Sequence, residues 1–355
     1  MGKHSSALIS LCHCLRGAPP VDVDWMSVIG LANQTLTTPA LIDFVDRYAS
    51  VLPEDVCAYV RQIYRRNVQR NERLADQLEE AVVAMNDRGV TPVLLKGAAT
   101  LAVTPSERRG VRLMSDLDIM VMPDEAERAI AALRAIGYEI HAEAPRESRR
   151  WFVELIRSID VGAIDLQQAA PGPAHFYRDP VLSHCVPAAL GQGSVRIPTP
   201  TYRALMLIIH DQIQDYGYWL GDLDLRHLVE LRDLNSSVGG LDWEELSSHI
   251  SGGVMKNALE TQLVALAQLL GVEIPPALRS RLIPRLQFVR QLMQARFPSS
   301  RVPFLAMTAL DLRNYRRDAS LGYPRNARRG LWSIPKVDTL HFLLKAATAA
   351  RAGKV

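Results

Sequence analysis

The stretch Arg112-Leu-Met-Ser-Asp116-Leu-Asp118-Ile-Met-Val121 constrains the fold more than any other part of the chain. Leu117, Ile119 and Val121 recur at every second position, with Asp116 and Asp118 at the alternate ones. On a strand, residues two apart share a face and lie about 6.5–7 Å apart along the chain. On a helix the neighbours are three and four apart, and the same two acids would diverge. The alternation therefore predicts a strand with one core face and one acidic face. Two carboxylates held this way repel, by roughly 4 kcal/mol at about 4 Å and an effective dielectric near 20. Without a counter-charge one of them is driven toward its neutral form. A divalent cation that prefers hard oxygen ligands, Mg²⁺ or Mn²⁺, relieves the repulsion. Asp-x-Asp also arises by chance, as a solvated turn acid followed by an edge-strand acid, so the pair alone does not establish a site.

Three further features converge on it. Ala163-Ile-Asp165-Leu166 is a second apolar strand interrupted by one acid, which is costly unless paired or metal-bound. Leu94-Leu-Lys96-Gly97-Ala98 reads as a strand that turns directly into a helix, a place where backbone N–H groups and the positive helix end meet phosphate. Arg108, Arg109 and Arg112 precede the acidic pair and suit a triphosphate or its leaving pyrophosphate. Each is weak alone; their order and spacing together point to one site.

Around this centre the chain reads as helical, then α/β, then helical, with boundaries at 1–88, 89–198 and 199–355. Pro53-Glu54-Asp55 opens a long helix to Asn86, with Leu74, Leu78, Val82 and Met85 on one face. Strands are expected at 91–96, 117–122, 138–141, 151–159 and 162–167, and a helix from Pro123 to Ile136. Residues 169–197, rich in Pro and Gly, read as a connector. Helices follow at 202–214, 223–234, 243–250, 256–270 and 285–294. A chain of 355 residues accommodates two or three such units. Its 48% hydrophobic and 22% charged residues are those of a soluble globular protein, and a net charge of +3 is too small to argue for nucleic acid.

The apolar stretch Ala7 to Leu15 is too short and too interrupted for a signal peptide, and nothing approaches about 18 uninterrupted apolar residues. Four cysteines without a CxxC pair disfavour structural zinc and suggest a reducing compartment; the cytoplasm is the expectation. Cys12-His13-Cys14 reads as a reduced, inert trio. His210, Asp211, Gln214 and Asp215 share one side of a helix; His210 and Asp211 are candidates for the acceptor side of a cleft, against the plainer reading of a packed polar face. Asp222-Leu-Asp224 repeats the acidic spelling, but the leucines after it predict a helix start, where acids serve structure. The tail beyond Asn314 interleaves Arg316, Arg317, Arg325, Arg328, Arg329 and Lys336 with Tyr315, Tyr323 and Trp332. Such a tail can meet nucleic acid or an anionic membrane; a solvated or docked tail is the preferred reading.

The strand–glycine–helix turn, the Asp116-Leu-Asp118 strand and the later Asp165 together resemble the polymerase-β-like nucleotidyltransferase superfamily. More narrowly, Leu94-Leu-Lys-Gly-Ala-Ala, Arg112-Leu-Met-Ser-Asp-Leu-Asp-Ile-Met-Val and Leu133-Arg-Ala-Ile-Gly-Tyr138 resemble its "uncharacterised nucleotidyltransferase" family, over roughly residues 70–270. The resemblance implies an α+β fold: a palm of small mixed β-sheet with flanking helices, between an N-terminal helical region and a C-terminal helical domain. It implies Asp116, Asp118 and Asp165 as catalytic acids and ligands of Mg²⁺ (or Mn²⁺), with an NTP, ATP by expectation, as substrate. Lys96, Gly97, Ala98, Arg112 and Ser115 are then the nucleotide-binding candidates, with Arg108 and Arg109 behind them. Two positions depart from the pattern: Ala98 stands where the superfamily often has Ser, and Gln167 where the family often has His.

The reaction implied is transfer of NMP to an acceptor hydroxyl on a small molecule, peptide or protein. The alternatives are an RNA- or tRNA-directed nucleotidyltransferase or toxin, and a non-catalytic nucleotide-binding scaffold.

Overall fold

A computed structural model describes residues 3–145, 151–172, 177, 179–250, 253–301, 303–304 and 353–355. Compactness divides the chain into one unit of Met1–Thr37 with Ile208–Val355 and a second of Thr38–Leu207. The long helix, grouped by sequence with segment 1–88, falls in the unit that holds the sheet.

In chain order, α1 (Lys3–Leu15) and α2 (Trp25–Gln34) begin the helical unit. The sheet unit follows with α3 (Ile42–Arg47), α4 (Glu54–Asn86), β1 (Val93–Leu94), α5 (Lys96–Val103), β2 (Asp116–Met120), α6 (Ala126–Ala135), β3 (Glu139–Glu143), β4 (Phe152–Ile156), β5 (Ala163–Gln167), β6 (Cys185–Leu190) and β7 (Gly193–Pro198). Helix α7 (Pro200–Ile209) carries the chain back. A π-helical turn at His210–Gln214, then α8 (Gly217–Leu220), α9 (Leu225–Asn235), α10 (Trp243–Ser248), α11 (Gly253–Leu270) and α12 (Leu282–Arg296), belong to the helical unit.

The seven strands form one mixed sheet in the order β3-β4-β5-β2-β1-β7-β6. Central β2 runs parallel to β5 and antiparallel to β1. The apolar alternation of the sequence places Leu117, Ile119, Ile164, Leu166, Val153 and Leu155 in one core with Leu74, Leu78, Val82 and Met85 of α4 and Ile130 and Leu133 of α6. Truncating any of these large core residues to alanine costs about 2–5 kcal/mol. Helix α4 is unbroken over 33 residues, with Glu54 and Asp55 in its first turn and Gly89, at φ 71°, just past its end.

Two expectations need correction. Residues 185–198, read as part of a connector, are the hairpin β6–β7, turned by Gly191-Gln192 between Leu190 and Gly193. The density of Pro and Gly concealed it. Pro187 is tolerated because β6 is an edge strand, where a missing N–H breaks no inner ladder. Lys96, read as the last strand residue, is instead the first residue of α5. The basic tail read beyond Asn314 lies outside the described residues.

Candidate active site

The register of β2 and β5 builds the site. Asp116 pairs with Ala163 and Asp118 with Asp165 across the two parallel strands. Residues opposite one another share a face, so the acid-bearing face of β2 continues into β5. One carboxylate oxygen each from Asp116, Asp118 and Asp165 lies within 4.8 Å of the others. Across β5, Glu154 of β4 stands opposite Asp165 on the same face. That fourth acid was missed from sequence, although it alternates with Val153 and Leu155 just as Asp118 does with its apolar neighbours.

Burial and repulsion shape the titration of these groups. Asp118 is 4% exposed, and burial raises its pKa, opposed by Lys96 and reinforced by Asp116. Asp165 is raised to about 6, by burial first and then by the charges of Asp118 and Asp116. The Lys96 ammonium is the local counter-charge: Nζ donates to Asp118 Oδ1 at 2.6 Å. Gln167 Nε2 donates to the same oxygen at 3.4 Å, from the position where the family often has His. Ser115 Oγ donates to Asp116 Oδ1 at 3.0 Å.

The turn from β1 into α5 holds the cationic side. Leu95 N donates to Asp118 O at 3.0 Å, which pins the turn beside the acids. Lys96 takes φ 42°, a left-handed conformation that a side chain adopts at a cost of order 1–3 kcal/mol and that clusters at functional sites. A Cβ at Gly97 would collide with the Arg112 guanidinium and lie 2.9 Å from Met114 Cε, so glycine lets Arg112 lie against the start of α5. Of the other arginines, Arg108 is engaged by Asp43, with Nη2 to Oδ2 at 2.7 Å.

A second set of residues escaped the sequence reading. Asn67 and Asn71 of α4 are buried, and their amides donate to the Arg112 carbonyl at 2.8 Å each. Arg70 donates to Met114 O at 3.0 Å and Val161 O at 2.7 Å, and Gln77 to Gly162 O at 2.8 Å. The same helix face that supplies Leu74 and Leu78 thus clamps the loops entering β2 and β5. Their spacing of three and four in line with that apolar face was the available signal.

A family model described as "Uncharacterised nucleotidyltransferase" matches residues 21–271. The chain belongs to this nucleotidyltransferase family. The match begins well before residue 70, where the motifs alone placed its start. No curated protein and no solved structure matches the chain. In this family member, three hard-oxygen groups from adjacent strands, two of them raised first by burial and then by the neighbouring carboxylates, fit a divalent cation.

Not every residue singled out by sequence falls in the sheet unit. His210 and Asp211 belong to the helical unit. There Asp211, 1% exposed, accepts from Lys354 Nζ at 2.8 Å and from Gln212 Nε2 at 2.6 Å. Burial alone would raise its pKa, but Lys354 and His227 hold it below the usual carboxylate range. Asp224 caps α9 by accepting from His227 N at 2.9 Å, the structural role its position suggested. Cys12 and Cys14 are buried, and their thiols are pushed up to about 12 by that burial. Among the described residues no helix is long and apolar enough to cross a membrane.

Proposed function

We propose that Asp116, Asp118 and Asp165 are the catalytic centre of a metal-dependent enzyme that transfers NMP from an NTP, with ATP the expected donor, to an acceptor hydroxyl on a small molecule, peptide or protein. The observation that carries this reading is the convergence of three carboxylates within 4.8 Å beside a strand–glycine–helix turn, in a chain of nucleotidyltransferase family. The three carboxylates would hold Mg²⁺ or Mn²⁺, which when bound neutralises charge on phosphoryl oxygens and steadies attacking and leaving groups.

The chain's own groups do the rest. Backbone N–H groups of Gly97 and Ala98, at the positive end of α5, receive phosphate oxygens. Lys96 and Arg112 add charge there, and Arg112 can grip in bidentate fashion. Ser115 orients the Asp116 carboxylate through its hydrogen bond. Asp165, opposite Asp118 on the neighbouring strand, is the carboxylate assigned as general base. It accepts the proton of the acceptor hydroxyl as that oxygen bonds to the α-phosphorus. The bond from the α-phosphorus to its bridging oxygen breaks, and pyrophosphate leaves.

The test is incubation of the pure protein with each α-labelled NTP, Mg²⁺ or Mn²⁺ and a cell extract, with Asp118→Ala as control. Label should pass to an acceptor and fall by at least about a hundredfold in the variant, the scale on which loss of one transition-state charge contact acts. A product of RNA size would favour the RNA-directed alternative. NTP binding without any transfer would favour the scaffold and defeat the proposal.

A further inference from the structure

Helix α12 wets an apolar row and buries a mainly polar face, with Pro284 and Phe288 the apolar residues on the buried side. Its polar side chains Gln287, Arg290, Gln291 and Gln294 are buried, while Leu282, Ile283, Leu286, Val289, Met293 and the adjoining Phe297 are exposed. The buried polar face is bonded in place: Arg290 Nη2 donates to Trp219 O at 2.8 Å, and Gln291 Nε2 to Asp222 O at 3.0 Å. The exposed face is not marginal, for Leu282 keeps 69% and Leu286 57% of its surface in solvent. A helix of a single folded unit buries its apolar stripe and wets its polar one. Five large apolar side chains in one row, with Ile283 beside it, form a patch on the order of the largest that a monomer exposes, about 300–600 Å², and such patches mark interaction sites. The family match ends at residue 271, so this helix lies beyond it.

We propose that the strip is the docking face for an acidic amphipathic helix of a partner protein. Width and charge select this occupant. Leu282, Leu286, Val289, Met293 and Phe297 are spaced by four, three, four and four, which keeps them in a narrow row. That is the geometry of a two-helix seam; a helix lying in a lipid surface presents a broader apolar arc. Residues 274–301 contain no acid. Of the six arginines in residues 274–301, Arg281 is paired with Glu260, Arg301 with Asp222, Arg279 bonds the Ile274 carbonyl and Arg290 is buried, which leaves Arg285 and Arg296 as the charges beside the row. Arg285 is exposed beside the row, and the Arg296 guanidinium lies 4.9 Å from the Phe297 ring centroid. A second copy of the strip would add arginines to arginines, whereas glutamates flanking an apolar seam would answer them.

The probe is a synthetic three-heptad peptide with a leucine seam and glutamate flanks, compared with one carrying lysine flanks. Binding to the full chain is read by fluorescence anisotropy. The glutamate peptide should bind at least about tenfold tighter than the lysine peptide, and its binding should weaken as salt rises from about 0.05 M to 0.5 M. Leu286→Glu with Met293→Glu should abolish it, and Arg285→Glu should weaken it several-fold; both replace exposed residues, and circular dichroism checks the fold. Met293→Cys in the full chain should react promptly with a maleimide. Equal binding of both peptides, or of neither, would overturn the proposal. So would three other results: a protected thiol at position 293 in a monomer, meaning that residues 305–352 cover the strip; a strip-dependent dimer; or strip-dependent binding to phosphatidylcholine–phosphatidylglycerol vesicles without peptide binding.

Discussion

Asp165 couples the charge of the site to the stability of the fold. Its folded pKa is about 6, above the ordinary carboxylate value near 3.9. A group raised in this way stabilises the fold fully below its unfolded pKa, and that contribution is lost as pH rises through the folded value. The metal-free protein should therefore lose stability between about pH 4 and pH 6 through this group, and Asp165→Asn should flatten that slope in thermal unfolding. Divalent metal favours the ionised carboxylate. The rise in Tm on adding Mg²⁺ should grow through the same window and disappear in Asp118→Asn; an equal rise at about pH 5 and pH 7.5 would count against the three acids as ligands. Lys96 carries a related expectation. With Lys96→Met the buried Asp118 loses the partner at 2.6 Å, a loss that matters only while Asp118 is ionised. The variant should be closest to the parent in acid and fall behind as pH rises.

At the scale of elements, the turn from β1 into α5 is the most demanding local structure near the acids. Gly97→Ala would put a methyl group where the Arg112 guanidinium lies. The guanidinium is the far end of a flexible side chain and can swing aside, so the fold should survive. NTP affinity should drop about tenfold, as expected for the loss of one charge-assisted contact, with little change in Tm. Calorimetric titration with NTP and Mn²⁺ reads this directly, and an unchanged affinity would remove Arg112 from the phosphate contacts. The strands β2 and β5 were legible in sequence because apolar residues fall at every second position, with acids at the alternate positions of β2 and one acid, Asp165, between Ile164 and Leu166 of β5. The hairpin β6–β7 was not, because Pro187, Gly191 and Gly193 speak locally for a connector while the pairing partner β1 is about a hundred residues away. The clamp of Asn67, Arg70, Asn71 and Gln77 was also hidden. Its partners are backbone carbonyls, which leave no mark in side-chain composition.

At the scale of the whole molecule, the family match runs from residue 21 to 271 and so takes in parts of both compact units. The acids of the candidate centre lie wholly in the sheet unit, while the helical unit has a charged centre of its own around Asp211. There Lys354 Nζ stands 2.8 Å from Asp211 Oδ1, and His227 Nδ1 lies 3.3 Å from Asp224 Oδ2. Asp211 is held below the usual carboxylate range, so its contribution is present above its unfolded pKa and lost as pH falls through the folded value. His227 is raised, chiefly by Asp224 against the effect of burial, and contributes in the opposite sense, losing its share as pH rises through its folded value. Lys354→Met leaves the buried Asp211 with His227 as its remaining cationic partner and should cost up to about 3 kcal/mol at neutral pH, shrinking in acid as Asp211 takes a proton. Hydrogen exchange locates that loss. Faster exchange in α9 and α11 with β2 and β5 unchanged would mean that the helical unit opens by itself. Equal acceleration in β2 and β5 would mean that the loss is not confined to the helical unit.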